Sequence, residues 1–366
     1  MKENPGKIFV VIIFILSWFH HGSASAQEIR IERTWTQAQK IHVPDTIRIC
    51  FTGDIMMHSR QMEFDFSGYF QNVNHLFKEA DIAVANMEFT LAGEPYTGYP
   101  QFSAPDRYAT YIAESGINLF LCANNHILDK GCAGAERTLE RYRALSESHG
   151  ISFTGAAGFE EELESTTPLI IEKNGVRIAF INFTYGTNLG RDANWPRINY
   201  QNQREFLKSA LYKAEEQADF TIVLPHWGEE YQLIHSEDQE NTARWLIENG
   251  ADLIIGTHPH VVQEIEYING IAVAYSLGNS VSNMSAPNTQ IGMTVTATLV
   301  TGINGNPRLH TLTPVHTWCS RPGGYGSSYI VLPVTDQIGK RSDWLGEWEY
   351  DKMISTYENI RKTHNK

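Results

Sequence analysis

The chain is short of cysteine, of positive charge and of long apolar runs, and each shortage removes a class of protein. Its four cysteines, Cys50, Cys122, Cys132 and Cys319, include no C-x-x-C pair. That excludes a zinc ribbon and a disulfide-dense scaffold. Cys50 and Cys122 sit in apolar runs and read as buried thiols. An oxidising compartment would permit one disulfide, with no pairing indicated. Lys and Arg total 29 against 42 Asp and Glu, a net charge of −13. Such a balance argues against general nucleic-acid or anionic-membrane binding, so no nucleic-acid partner is expected. No internal repeat and no low-complexity tract is present, which sets aside repeat arrays.

One apolar run stands out. Lys2 and Lys7 precede Ile8 to Phe19, and Ala24-Ser25-Ala26 follows. A charged start, a short apolar stretch and an A-x-A site read as a secretory signal peptide over residues 1–26, cut after Ala26. The run is too short to span a bilayer comfortably. The mature chain is therefore expected in the periplasm or outside the cell, touching a membrane only through the signal peptide before cleavage. Loss of Lys2, Glu3 and Lys7 leaves 27 basic and 41 acidic residues, a net charge of −14. An anionic substrate would then need a local cationic pocket, which bound metal can supply.

What is present is an ordinary globular composition, 42% hydrophobic and 19% charged over 366 residues, with ample material for a core. Residues 27–45 read as a polar lead-in. Ile47 to Thr52, Asp81 to Ala85, Ile117 to Cys122, Phe220 to Leu224 and Leu253 to Ile255 read as buried strands. Helical patterns lie between them: Asp106 to Glu114, Ala135 to Ser148, Arg204 to Gln217 and Asp238 to Asn249. Asn174-Gly175 marks a hairpin. Later segments, Met293 to Val300 and Arg308 to Val315, turn to β, and residues 344–366 end the chain in a helix. Alternating strands and helices followed by hairpins predict mixed sheets covered by helices. The expected body spans residues 46–318, with 319–366 as a C-terminal extension.

Polar residues crowd the strand ends. Gly53-Asp54, Asn86-Met87-Glu88, Asn124-Asn125-His126, His226-Trp227-Gly228 and Gly256-Thr257-His258-Pro259-His260 each follow an apolar run. Asp54 alone reads as an N-cap or turn residue before a ligand, and His226 alone can be a satisfied core histidine. Glu88 is more telling, because a carboxylate ending an apolar run is costly unless paired or coordinated. In an extended chain His258 and His260 point the same way, and Pro259 stiffens the turn between them, so the pair suits half a metal site. Two Gly/Pro-rich loops, Gly93 to Pro105 with Tyr96 and Tyr99, and residues 186–200 with Trp195-Pro196, are expected over the site.

Taken in order, these motifs together with Glu229-Glu230 and Ser276-Leu277-Gly278-Asn279 resemble the CapA family of poly-γ-glutamate capsule proteins, from about residue 47 to 283. That family is similar in turn to calcineurin-like metallophosphatases. The resemblance implies an α/β fold, a metallophosphatase-like sandwich of two mixed β-sheets flanked by α-helices. It implies a centre for a divalent ion (Mn, Fe or Zn) held by Asp54, Glu88, Asn125, His226, His258 and His260. His126 would be the proton donor or charge stabiliser, with Glu230 and Asn279 in support; Trp195 is expected, from its loop position, to border the pocket. The pattern departs at Met56, where metallophosphatases carry the histidine of an Asp-x-His motif, and His58 follows two residues later. It departs again at Glu88, in the place of an aspartate.

The activity implied is metal-dependent hydrolysis or transfer at a γ-glutamyl amide or a phosphoester. The alternative is a non-catalytic component of extracellular polymer assembly or export, and the expected partners are an anionic polymer and capsule assembly proteins. The N-terminal reading is directly testable. Sequencing of the exported protein should begin at Gln27. Recovery only in membranes, with residues 1–26 intact, would contradict it.

Overall fold

Alternation of side chains along the strands sets the layering of the molecule. The computed structural model describes residues 46–190, 195–302 and 305–364. The expected signal peptide and lead-in lie outside the described residues. In β1 (Thr46–Ile55), Ile47, Ile49 and Phe51 enter one hydrophobic cluster while Cys50 enters another, the two-residue period of a strand buried on both faces. The later strands are β2 (Ile82–Met87), β3 (Leu119–Leu121), β4 (Ser152–Thr154), β5 (Ala156–Ala157), β6 (Leu169–Lys173), β7 (Val176–Thr184) and β8 (Arg197–Ile198). Then follow β9 (Phe220–His226), β10 (Leu253–Ile255), β11 (Ile265–Ile268), β12 (Ile271–Ala274), β13 (Asn279–Val281), β14 (Ile291–Thr301), β15 (Pro307–Ser320) and β16 (Ile330–Pro333).

All but β5 and β8, which pair with each other, form two large mixed sheets. The first runs β16-β15-β14-β1-β2-β3-β4, with β13 also pairing β1. Its β1 to β4 are parallel, and β14 to β16 are antiparallel additions. The second runs β11-β12-β10-β9-β7-β6, with β7, β9, β10 and β12 parallel at its centre. Hairpins at Asn174-Gly175 and Asn269-Gly270 supply its antiparallel edges. All four of those turn residues have positive φ, as a tight two-residue hairpin requires.

The inner faces meet in one core, where Phe51, Val84 and Leu119 lie in a cluster with Phe180, Ile222 and Ile255. Each such side chain, fully buried, contributes about 1.5–3 kcal/mol. The α-helices among the described residues are α1 (Asn74–Lys78), α2 (Asp106–Glu114), α3 (Gly131–His149), α4 (Glu160–Thr166), α5 (Arg204–Gln217), α6 (Glu237–Glu248), α7 (Val334–Gln337) and α8 (Glu347–His364). Ile112 of α2 and Leu139 of α3 share the outer cluster of the first sheet with Cys50, Ala83 and Phe120. Leu207 and Leu211 of α5 and Leu246 of α6 join Ile181, Val223 and Ile254 behind the second. The layering is helix, sheet, sheet, helix, as expected.

The stretch expected as an extension from Cys319 begins inside β15, adds β16 to the first sheet, and brings Tyr350, Met353 and Ile360 of α8 into the inner cluster. It belongs to the same compact unit, Pro44–Lys366. The four cysteines are free thiols, and Cys50, Cys122 and Cys319 are buried. Burial pushes the Cys50 and Cys319 thiols up to about 12. No helix among the described residues is long and apolar enough to cross a membrane.

The consequence for function lies at the carboxyl ends of the parallel strands, where open α/β sheets bind ligands. β1 ends around Asp54, β2 just before Glu88, β3 before Asn124-Asn125-His126, β9 at His226 and β10 before His258 and His260. The ends can converge because the backbone at Gly53 approaches β13 closely. A Cβ there would lie 1.9 Å from the Gly278 carbonyl oxygen. Gly53→Ala should therefore cost about 3 kcal/mol, the upper end of overpacking penalties, read as a fall in thermal or denaturant midpoint. An unchanged midpoint would mean that this approach is not required.

Candidate metal centre

Three sets of donors converge at the strand ends. The ligand atoms of Asp54, Glu88 and His260 lie within 4.8 Å of one another, as do those of Glu88, His226 and His258. Glu88 belongs to both sets, so its carboxylate stands where one cation position would meet a second. A third set, at the same spacing, joins Glu230 to His258 and His260. Asp54, Glu88, Asn125, His126, His226, His258 and His260 are all buried, whereas Glu230 is exposed.

The histidines surround one oxygen. Glu88 Oε1 is 3.6 Å from His260 Nε2, 3.9 Å from His126 Nε2 and 4.0 Å from His226 Nε2. It is buried and has no hydrogen-bond partner, and His258 Nδ1 is likewise buried and unpartnered. A buried polar atom left without a partner costs about 1–3 kcal/mol, more when charged. Two unpartnered donors inside one cluster of three histidines and two carboxylates are the arrangement a divalent cation satisfies. The mixed oxygen and nitrogen donors suit Mn, Fe or Zn.

Outer contacts fix each ring. Thr257 Oγ1 lies 3.0 Å from His226 Nδ1, and Asn279 Oδ1 3.0 Å from His260 Nδ1. Both rings thereby keep Nε2 toward Glu88, the usual division of labour for a ligating histidine. His226 Nε2 also lies 2.8 Å from Asn125 Oδ1, a spacing that suits two donors on one ion at about 2.0–2.2 Å. The Asn86 amide nitrogen is 2.7 Å from Asp54 Oδ1 and 3.3 Å from Glu88 Oε2, so it donates toward both carboxylates at once. Asn124 in turn donates to Asn86 Oδ1 at 3.1 Å.

Electrostatics follow the same geometry. Burial, then the neighbouring Asp54 carboxylate, holds the Glu88 carboxyl well above the usual range. Burial and the surrounding imidazoles hold His226 and His258 well below theirs. At His260 burial also pulls downward, but Asp54, 3.3 Å from Nδ1, outweighs it and the net movement is upward. A protein that keeps two carboxylates together in a dry site and holds His226 and His258 toward their neutral forms has arranged them for a cation from outside.

The two central histidines converge by a route other than the extended one expected. His258 has φ of +103° and His260 of +59°, so the chain makes a left-handed turn around Pro259. Their ring centroids are 5.9 Å apart. Positive φ at a non-glycine residue stores strain, and strain of this kind collects at functional sites. The Asp54 carboxylate steadies the turn by accepting from the His258 N–H at 3.4 Å, which ties the first sheet to the second.

His126 stands beside the donors and is itself held. Its Nδ1 lies 2.7 Å from Asp129 Oδ2, which also accepts from the Phe102 N–H at 2.7 Å. The Phe102 ring meets His126 edge-on at 4.7 Å, which brings the Gly93–Pro105 loop to the site as expected. Asn188, from the second expected loop, donates its backbone N–H to the Asn125 carbonyl at 2.8 Å. The Arg197 guanidinium lies 5.4 Å over the ring of Trp195. Tyr99 is exposed and edge-on to Phe102 at 6.4 Å.

Several neighbours went unassigned in the sequence. Tyr185 lies 4.4 Å from the His258 ring and Tyr231 lies 6.3 Å from that of His260. Asp129 had a signal, since His126-x-x-Asp129 is a short spacing within one turn. The tyrosines had none beyond following a strand and a Glu-Glu pair. Met56, at the departure from the Asp-x-His pattern, is buried in the outer hydrophobic cluster. His58 does not join the donor sets. It packs edge-on to Phe102 at 5.1 Å with Nε2 unpartnered, and burial followed by His260 and His126 lowers it to about 4.

Comparison with known proteins identifies a family and a fold. The family model described as "Bacterial capsule synthesis protein PGA_cap" matches residues 48–284. The chain is 28% identical over 303 residues to the capsule biosynthesis protein CapA of Bacillus anthracis, covering 76% of this chain and 69% of that one. It is 27% identical over 298 residues to the PGA biosynthesis protein CapA of Bacillus subtilis (strain 168), covering 76% and 73%. A putative 5'-nucleotidase from Staphylococcus aureus, solved in complex with alpha-ketoglutarate, superposes with a TM-score of 0.50 at 13% identity over 79% of this chain. The match spans about half of that protein, 54%, and establishes the metallophosphatase-like fold alone.

The donor set predicts a metal-dependent melting temperature. A divalent ion at a hundred times its dissociation constant should add about 2.7 kcal/mol to stability. His258→Ala and His260→Ala should each shrink that gain and lower metal content on elemental analysis. A folded double variant with full metal content and an unchanged shift would remove the site.

Proposed function

The chain belongs to the bacterial capsule synthesis protein PGA_cap family, and on that premise we propose that it is an exported metal-dependent hydrolase or transferase acting on γ-glutamyl amide bonds of an anionic capsule polymer. The observation that carries this reading is the buried, unpartnered Glu88 Oε1 ringed by imidazoles. Asp54, Glu88, Asn125, His226, His258 and His260 would hold the ion. A divalent ion in such a site supplies Lewis-acid polarisation of a carbonyl or phosphoryl oxygen and lowers the pKa of water it binds.

The chain's own residues supply the rest. Asp129 holds the Nδ1 side of His126, which leaves Nε2 directed toward the cluster. In that orientation His126 gives a proton to the leaving nitrogen or stabilises charge that develops on the scissile group. Tyr185 and Tyr231 stand at the rim. Burial pushes the Tyr185 phenol up to about 12 and raises Tyr231 as well, so both stay neutral hydroxyls across the working pH range and act as donors or acceptors toward substrate. Asn86 and Asn279 orient the carboxylates and His260.

A second reading has one observation in its favour. With Met56 buried in the core, the Asp54 corner offers three donors and lacks the fourth that an Asp-x-His motif supplies. A site of that kind suits binding of an anionic polymer during assembly, without turnover. The relatives' names, which speak of capsule and PGA biosynthesis, accord with either reading.

One set of variants separates them. Metal-loaded protein should cleave or transfer a γ-glutamyl substrate, with chelation abolishing turnover. His126→Ala should keep its metal and lose about 100-fold or more in kcat, the scale of a proton-transfer group. Metal-replete wild-type protein that binds the polymer but turns over neither γ-glutamyl nor phosphoester substrates would establish the second reading. Turnover of phosphoesters alone would redirect the substrate class.

A further inference from the structure

Two surface cavities share a wall beside the metal centre. One, about 570 Å³, starts at Tyr185 and runs past Tyr200 to Asn202 and Gln203. The other, about 400 Å³, continues from Asn202 and Gln203 to Arg197 and Arg204. Tyr185 is also the residue whose ring lies 4.4 Å from His258 and 6.4 Å from His226. Through the shared Asn202 and Gln203 the two hollows form a trench that starts at Tyr185, the neighbour of His258, and ends at Arg197 and Arg204.

The chemistry changes along it. Near the metal the wall is aromatic and hydroxylic. In the middle it is amide, with Asn202 exposed. At the far end it is cationic, which is notable in a chain of net charge −13. Arg197 is exposed and steadied over Trp195 at 5.4 Å. Arg204, half-buried, stands over Trp245 at 4.5 Å and donates to Thr242 Oγ1 at 3.1 Å, with its Nη1 buried and unpartnered. Among the described residues Glu205 is the one carboxylate in the lining of either cavity. Guanidinium groups held by aromatic rings are pre-set forks for carboxylates.

We propose that this trench is a binding track for a linear polyanion that carries one free carboxylate per repeat, with Arg197 and Arg204 receiving carboxylates several repeats from the bond at the metal centre. The inference rests on the γ-glutamyl reading of the site, because a γ-linked glutamate chain has one free α-carboxylate per residue. It adds to that reading a reason for preferring long chains over short ones. A dipeptide at the metal centre stops short of the arginines, whereas a longer oligomer reaches them. The added attraction is electrostatic at an exposed end, so it weakens with salt.

The test compares γ-linked glutamate oligomers of two and ten residues, titrated calorimetrically into the full mature protein loaded with metal. Wild type should bind the longer oligomer about tenfold more tightly, the scale of one or two charge-assisted contacts, and the margin should narrow at high salt. Arg197→Glu should lose that margin and leave dipeptide affinity unchanged. Asn202→Trp, which fills the shared wall, should do the same by blocking passage. Both positions are exposed, and equal melting temperatures would confirm intact folding.

If the folded variants keep the full length preference, the track is overturned while the metal-centre reading stands. If wild type shows no length preference, the same holds. If wild type binds neither oligomer, the γ-glutamyl reading falls and the track falls with it.

Discussion

Everything at the site answers to one constraint: the Glu88 carboxylate is fully buried next to that of Asp54, and among the described residues no Lys or Arg pairs with either. Like charges in a low-dielectric interior repel strongly, and desolvating a single carboxylate already costs several kcal/mol. The protein meets part of this cost with the Asn86 amide, which reaches both groups, and part with His260, whose proton affinity Asp54 raises. Glu88 Oε1 remains unpartnered at the centre of three Nε2 atoms. A divalent cation from solution would complete the balance.

The fold serves that convergence. Parallel strands from both sheets deliver their carboxyl ends to one place, and two close backbone approaches let them meet. Gly53 abuts the Gly278 carbonyl, and Gly256 leaves room for the Trp227 indole and the Tyr275 carbonyl, each within 2.3 Å of where a Cβ would be. The Trp227 indole N–H donates to that carbonyl at 2.9 Å, locking the loop after β9 to the strand beyond β10. The strained turn at His258 is held by Asp54 from the opposite sheet. Packing energy from the inner core is thus transmitted to side-chain placement at the metal ligands.

Much of this was legible in the chain, for identifiable reasons. Strand-end placement of Asp54, Glu88 and His226 follows from apolar runs that stop abruptly at polar residues, and the structure brings all three together. The Asn174-Gly175 hairpin and the Asp106–Glu114 and Arg204–Gln217 helices are local signals, and they lie where expected. What escaped is non-local. The turn at His258 depends on a carboxylate 204 residues earlier in the chain. Tyr185 and Asn188 reach the site because β7 pairs with β9, a pairing that no neighbouring residue announces. The C-terminal segment lacked any site motif, so its place in the first sheet and the inner core was invisible until β15 paired β14 along eleven positions.

The account turns on an ion seated at Glu88. Crystals of the mature protein grown with zinc should show an anomalous peak about 2.0–2.2 Å from Glu88 Oε1 and from the facing nitrogens of His226 and His258. Diffraction at saturating zinc that shows no peak among these residues, with Glu88 hydrogen-bonded directly to an imidazole, would contradict it.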